Sequence, residues 1–271
     1  MKYKLFVADI DMTLVNHEKE MLPLTKAALQ ELRNRGVLIG VASGRPLRGH
    51  VMNCYKFWGL DRQLDLIIGM NGGQMYDGTD DTLTESYKLS REDIKEIIDF
   101  MSPLNLNPFV YKKDCMLVTR LDAEAIASSI RNKEPAIVAK SQEELWAAPN
   151  GKVLFRADRP DQMPAMLELA ASHPSDHYQY FRSTPVMLEF QDPRVNKGVA
   201  LHQFCEKHGI KKEEIISFGD SPNDIPILDY AGFSVCLSNG DDVTKSHADR
   251  ITDYDYNNDG AGHFLFDYIL K

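Results

Sequence analysis

The stretch Lys4–Leu14, KLFVADIDMTL, restricts what this chain can fold into more than any other. Its apolar run, Leu5, Phe6, Val7 and Ala8, reads as a buried strand that ends in two carboxylates, Asp9 and Asp11, followed by Thr13. In an extended chain residues i and i+2 project to one side, so both acids face a common point past the strand's carboxyl end. That edge is where open parallel α/β sheets place their ligands. A solvated strand end with a turn would carry the same two acids, so the pair alone leaves both readings open.

The next segments fix the class. Leu22–Arg35 has Ala28, Leu29 and Leu32 at helical spacing, Thr25 as an expected N-cap and Gly36 as a stop. Val37–Ala42 is a continuous apolar run, as a parallel strand covered on both faces requires. Strand, helix and strand make a βαβ unit, and the expected class is α/β with a parallel sheet. The second strand breaks at Ser43, Gly44, Arg45 and Pro46, which offer an anion a hydroxyl and bare backbone N–H groups, or simply make a tight turn. Leu64–Gly69 reads as a third strand, and Asn71-Gly72 as a hairpin turn into Gln74–Tyr76 that asks no functional role of Asn71.

With 271 residues the chain exceeds one comfortable core, and its texture changes near Leu83. Ser90–Ser102 reads as a helix capped by Ser90 and Asp93, with Ile94, Ile97, Ile98 and Met101 on its apolar face. A hairpin (Phe109–Tyr111, Met116–Thr119), helices (Asp122–Arg131, Arg159–Ser172) and strands (Lys152–Ala157, Tyr178–Phe181, Val186–Phe190) complete an inserted α/β lobe. The first pattern resumes at Asn196, Lys197 and Gly198, which open a helix ending at Gly209. Lys197 opposes the helix dipole there, which is unfavourable unless an anion is near; taken alone it reads as a surface lysine. Glu214–Phe218 is a further buried strand, ending in Gly219, Asp220, Ser221, Pro222, Asn223 and Asp224, with Pro226 admissible only in a helix's first turn. An Asx-type cap accounts for Asn223 or Asp224, but not easily for Asp220 as well. Phe233–Leu237 and Phe264–Leu270 supply a last strand and a closing helix.

Net charge of -9 without a basic block disfavours a nucleic-acid partner. No apolar run approaches a membrane span, and the four apolar residues before Asp9 are too few for a secretory signal. Cys54, Cys115, Cys205 and Cys236 lack CxxC spacing, which points to reduced thiols of a cytoplasmic protein and away from a zinc site.

Four strand or helix ends thus carry compatible chemistry: Asp9 with Asp11, Ser43 with Gly44, Lys197, and Asp220 with Asn223 and Asp224. In order and spacing from Asp9 to Gly260 this set resembles the haloacid dehalogenase superfamily of phosphatases. The combination of NGG, VNKG and GDSPND resembles its Cof-type sugar-phosphate phosphatases. The resemblance implies a Rossmann-like parallel-sheet core over 1-82 and 191-271, with an inserted α/β cap over 83-190 that governs substrate choice. It implies a small phosphorylated metabolite as substrate. Asp9 would be the nucleophile, and Asp11 the general acid and base, its main-chain carbonyl also a metal ligand. Ile10, Ser43, Gly44, Lys197 and Asn223 would bind phosphate, and Asp9, Asp11, Asp220 and Asp224 would hold Mg²⁺.

Electrostatics point the same way. A carboxylate near a phosphate dianion costs about 4 kcal/mol per like-charge pair at ~4 Å and an effective dielectric of ~20. A shared Mg²⁺ opposite Lys197 would cancel most of that, and the donors are oxygens rather than His and Cys. The chain departs from the family's DxDGT at Met12, and carries Ile227 where methionine is frequent. In the cap, Arg156, His177 and Tyr178 are candidates for reading the leaving group, each with a structural role as the plainer alternative. A phosphomutase or phosphotransferase of the same fold, or a non-catalytic binding protein, are the competing functions. No segment specifies the substrate or an oligomeric state.

Overall fold

The computed structural model describes residues 2–132 and 134–271, with side chains at all of these except 50, 131 and 132. In chain order, Leu5–Asp9 (β1), Leu38–Ala42 (β2), Leu66–Gly69 (β3), Gln74–Asp77 (β4) and Thr82–Glu85 (β5) begin one sheet. A second sheet follows, from Asn107–Tyr111 (β6), Met116–Val118 (β7), Ala136–Val138 (β8), Val153–Arg156 (β9), Gln179–Thr184 (β10) and Met187–Gln191 (β11). Ile215–Gly219 (β12), Phe233–Cys236 (β13) and Arg250–Ile251 (β14) then return to the first sheet. The chain divides into two compact units, residues 1–85 with 196–271, and residues 86–195. No helix among the described residues is long and apolar enough to cross a membrane.

The first unit's sheet runs β14-β13-β12-β1-β2-β3-β4-β5, parallel from β14 to β3 and antiparallel at the β3–β4–β5 meander. β1 is wholly buried because it is paired on both sides, with Leu5 opposite Leu38 on one and Ile215 on the other. Its residues alternate between two cores. Phe6 and Ala8 join Ile39, Val41, Leu29, Leu32 and Phe264 on one face, while Leu5 and Val7 join Ile68, Leu201, Phe204 and Ile227 on the other. Asp9 continues the parity of Leu5 and Val7, toward the face covered by helix Lys197–His208.

The helix after β1 spans Pro23–Asn34 with Leu22 as N-cap, so Thr25 is not the cap expected from the sequence. The capping acceptor comes from the far end of the chain: Leu24 and Thr25 donate their main-chain N–H to the two oxygens of Asp259, both at 2.8 Å. The Thr25 hydroxyl adds a third bond to the same carboxylate. The closing segment is an α-helix over Gly260–Phe264 that continues as a π-helical turn over Leu265–Ile269.

Asp77, at the end of β4, is buried against three side chains of the same unit. Lys207 Nζ lies at 2.6 Å, His208 Nε2 at 2.7 Å and the Thr79 hydroxyl at 2.6 Å. Burial works to raise its pKa, but hydrogen bonds from Lys207, Thr79 and His208 outweigh that and hold the carboxyl well below its usual range. A depressed folded-state value gives stability that is full above the unfolded carboxyl's titration, near pH ~4, and is lost as pH falls below it. Asp77→Asn is therefore expected to cost about 2 kcal/mol at neutral pH, with the exposed Lys207 contributing little. Urea unfolding should show the gap between variant and parent closing below about pH 4.

The second unit's sheet runs β10-β11-β9-β6-β7-β8, antiparallel except at β7–β8. Helices Arg91–Met101 and Met163–Ala171 cover one face, burying Ile94, Ile97, Ile98, Met101, Met163 and Met166 against Val110, Phe155, Leu188 and Phe190. Ser90 and Asp93 form the expected reciprocal cap.

Candidate active site

The parallel pairing of β1 with β2 and β12 sets three carboxyl ends side by side. Asp9 is the last residue of β1, Ser43 follows β2, and Asp220 follows β12. Lys197, the first residue of its helix, is fully buried, and its ammonium donates to Asp9 Oδ1 and Asp224 Oδ1, each at 2.6 Å. Asp224 Oδ2 accepts from the main-chain N–H groups of Asp220 and Ser221, both at 3.1 Å, which fixes its orientation. Asp220 Oδ1 accepts from the Thr13 hydroxyl at 2.7 Å. Asp9, Asp220 and Asp224 each offer an oxygen within 4.8 Å of the others.

Burial pushes Asp9 well above the ordinary carboxylate range; Lys197 opposes this, while Asp224, Asp220 and Asp11 add to it. Burial and then Asp224 push Asp220 up to about 7, against the Thr13 hydrogen bond. For Lys197 burial disfavours the charge, but Asp224 and Asp9 outweigh it and raise its proton affinity. One ammonium thus faces three clustered carboxylates, so burial and a shortage of positive charge both act against ionising all three. An all-oxygen donor set with that deficit fits a hard divalent cation.

Asp11 sits apart from this group. Its carboxylate is partly exposed and is held by Arg45 at 2.8 Å and Lys19 at 2.9 Å. Met12, 43% exposed, has φ +65°, the left-handed region that glycine enters freely. Asn239 Nδ2 donates to its carbonyl at 3.1 Å. Met12→Gly removes that backbone strain at the cost of a more flexible unfolded chain, and is expected to stabilise by about 0.5–1 kcal/mol. Thermal unfolding checks it, with Met12→Val expected to shift the other way because a β-branched residue suffers more at positive φ.

On the opposite flank Ser43 is buried, and its Oγ accepts from the Arg45 N–H at 3.2 Å. A Cβ on Gly44 would lie 3.0 Å from Asn71 Oδ1, so this backbone passes close to Asn71. From the sequence Asn71 reads only as a turn residue. The β3–β4 loop is not a two-residue hairpin but spans residues 70–73, with Met70 and Asn71 both at positive φ. Asn71 is buried, donates its N–H to Ser43 O at 3.1 Å, and its Oδ1 accepts from Asn223 Nδ2 at 3.3 Å. Gly72, φ +110°, lets the loop meet the lysine helix: a Cβ there would come 2.2 Å from Asn196 O. Asn71 therefore joins the Ser43 turn to Asn223. Ile10, next to Asp9, is buried, and its carbonyl accepts from Leu14 and Val15.

The three candidates in the second unit have partners there. Buried Arg156 stands over the Phe109 ring at 5.2 Å, and exposed His177 lies 3.2 Å from Asp93. The Tyr178 hydroxyl donates to Glu96 at 3.0 Å while its ring packs in the helix-covered core. Phe155 belongs to that same core, so the adjacent Arg156 faces the other side of the sheet and the two do not form one pocket.

The sequence profile of haloacid dehalogenase-like hydrolases matches residues 6–265. The chain is 27% identical to the 5-amino-6-(5-phospho-D-ribitylamino)uracil phosphatase YitU of Bacillus subtilis, over 98% of this chain and 97% of that one. The crystal structure of TM0651 from Thermotoga maritima superposes with a TM-score of 0.85 at 27% identity, covering 98% of this chain and 97% of that one. A haloacid dehalogenase-like hydrolase from Bacteroides thetaiotaomicron does so with 0.86 at 25%, covering 98% and 99%.

Proposed function

Because this chain belongs to the haloacid dehalogenase-like hydrolases, in their Cof-type branch, we propose that it hydrolyses small phosphate monoesters, with a phosphorylated sugar or polyol as substrate. The observation that carries the reading is the buried ammonium of Lys197, 2.6 Å from both Asp9 and Asp224, at the carboxyl edge of a parallel sheet. A strand-end carboxylate so held is aimed and kept from water, as a nucleophile toward an anion must be. The phosphoribityl group in the name of the YitU enzyme supports the sugar or polyol class.

In this reading a carboxylate oxygen of Asp9 attacks phosphorus, the bond to the leaving alkoxide breaks, and an aspartyl-phosphate forms. Asp11 gives a proton to the leaving oxygen and then takes one from the water that cleaves the aspartyl-phosphate, which returns Asp9 and releases inorganic phosphate. Arg45 and Lys19 hold the carboxylate of Asp11, the form that takes the proton from water. The Ser43 hydroxyl, the main-chain N–H groups of Ile10 and Gly44, the Asn223 amide and Lys197 bind the phosphoryl oxygens as charge redistributes over them. Asp9 and Asp220, with Asp224 and the Asp11 carbonyl, would hold Mg²⁺, which supplies the positive charge that three carboxylates and a phosphate dianion need.

Phosphate release from a panel of sugar phosphates, polyol phosphates and nucleotides tests this. Hydrolysis of at least one sugar or polyol phosphate, with kcat/KM well above the nucleotides, is expected in Mg²⁺ buffer and should stop when EDTA is added. A chain that turned over no monoester in Mg²⁺ would overturn the reading.

A further inference from the structure

We propose that a cavity lined wholly by residues of the second unit is a binding site for a small organic anion with a flat apolar body. The cavity measures about 420 Å³, within the range of small-molecule sites. It opens between the carboxyl end of helix Arg91–Met101 and the segment that follows β8. Its floor is apolar, made by the buried side chains of Ile98, Met101 and Phe155. Its rim is cationic, with Arg120 and Lys140, and no carboxylate among the described residues lines it, although the chain carries a net charge of -9.

Both cations have donors to offer. The Arg120 guanidinium reaches the carbonyls of Asn105 and Leu106 only at 3.2 and 3.5 Å, and stands 3.8 Å from Asp122 Oδ2. The last distance is beyond a hydrogen bond, and the two carbonyls engage only two of the guanidinium's five N–H groups. Asp122 is committed elsewhere, accepting from Asn107 Nδ2 and the Ala125 N–H, both at 2.7 Å. Lys140 gives its main-chain N–H to Glu144 at 2.8 Å, while its ammonium has no ion-pair partner among the described residues. Ser102 and Gln142 add neutral donors at the rim. An apolar floor under a cationic, donor-rich rim is complementary to a phosphate, carboxylate or sulfonate carried on an apolar ring, and poorly complementary to a cation or a bare sugar.

The test uses 1-anilinonaphthalene-8-sulfonate as the probe, with the full chain, followed by fluorescence and by calorimetric stoichiometry. Saturable binding of one equivalent is expected, weakened at least about tenfold when the neutral N-phenyl-1-naphthylamine replaces the sulfonate. Lys140→Glu should weaken sulfonate binding about tenfold, and Ala139→Trp, which fills the cavity, should abolish it. If Ala139→Trp fails to fold, Gln142→Trp narrows the entrance from an exposed position and should still weaken binding severalfold. Retained phosphate release by each variant certifies the fold. The proposal is overturned if no saturable site is found, if the neutral analogue binds equally well, or if Lys140→Glu and the tryptophan variant bind the sulfonate as the parent does.

Discussion

Asp9→Asn is expected to reduce phosphate release by at least ~10⁴-fold while leaving the protein folded. The amide keeps the shape of the side chain but is no nucleophile toward phosphorus, and no neighbouring carboxylate replaces it. Asp224 is turned onto two main-chain N–H groups, and Asp220 onto Thr13. The fold should not suffer, because removing one of three clustered carboxylates removes both a charge that is costly to bury and the repulsion its neighbours add. Without metal, the variant's urea midpoint is expected to equal or exceed the parent's. Acid quenching during turnover should trap phosphate on the parent and none on the variant. Full activity in a folded Asp9→Asn protein would remove Asp9 from the mechanism.

The second large effect is expected from Lys197→Met, a change of similar volume that deletes the ammonium bonded to both Asp9 and Asp224. Two buried acids then face each other without a counter-charge, which costs about 3–5 kcal/mol when one partner of a buried pair is removed. Mg²⁺ should restore part of that stability, because it replaces the missing charge from the carboxylate side. Activity is expected to fall on the order of 10³-fold, since the phosphoryl oxygens lose a charged donor. Equal unfolding midpoints for variant and parent in metal-free buffer would show that the lysine does not balance the acids.

The parts of the fold that could be read from the sequence are those whose physics is local. β1, β2 and β12 are apolar runs stopped by polar residues, and the Ser90–Asp93 cap is closed within four positions. β5, Thr82–Glu85, escaped because all four residues are exposed at a sheet edge and show no alternation, and β8 and β14 are too short to have a period. Thr25 looked like a cap because its true capping partner, Asp259, lies 234 residues away. Lys197 looked like a surface residue for the same reason, since its partner Asp9 is 188 positions distant. Only the resemblance of separate segments to one family brought those acids together before the structure did. Asn71 was missed altogether, because Asn-Gly has a sufficient explanation as a turn and nothing local reveals a side chain aimed at Asn223.

The central place of β1 has a consequence for how the protein is made. One of its edges is filled early by β2, but the other waits for β12, whose Ile215 pairs with Leu5. At a ribosomal pace of about 5–20 residues per second, that edge stays open for roughly 9–35 s while the chain between β2 and the end of β12 is being translated. Until then the nascent chain carries an unsealed apolar strand, a template for pairing with other chains. Newly made protein should therefore depend on chaperones to a degree that the finished molecule, with that edge closed, does not.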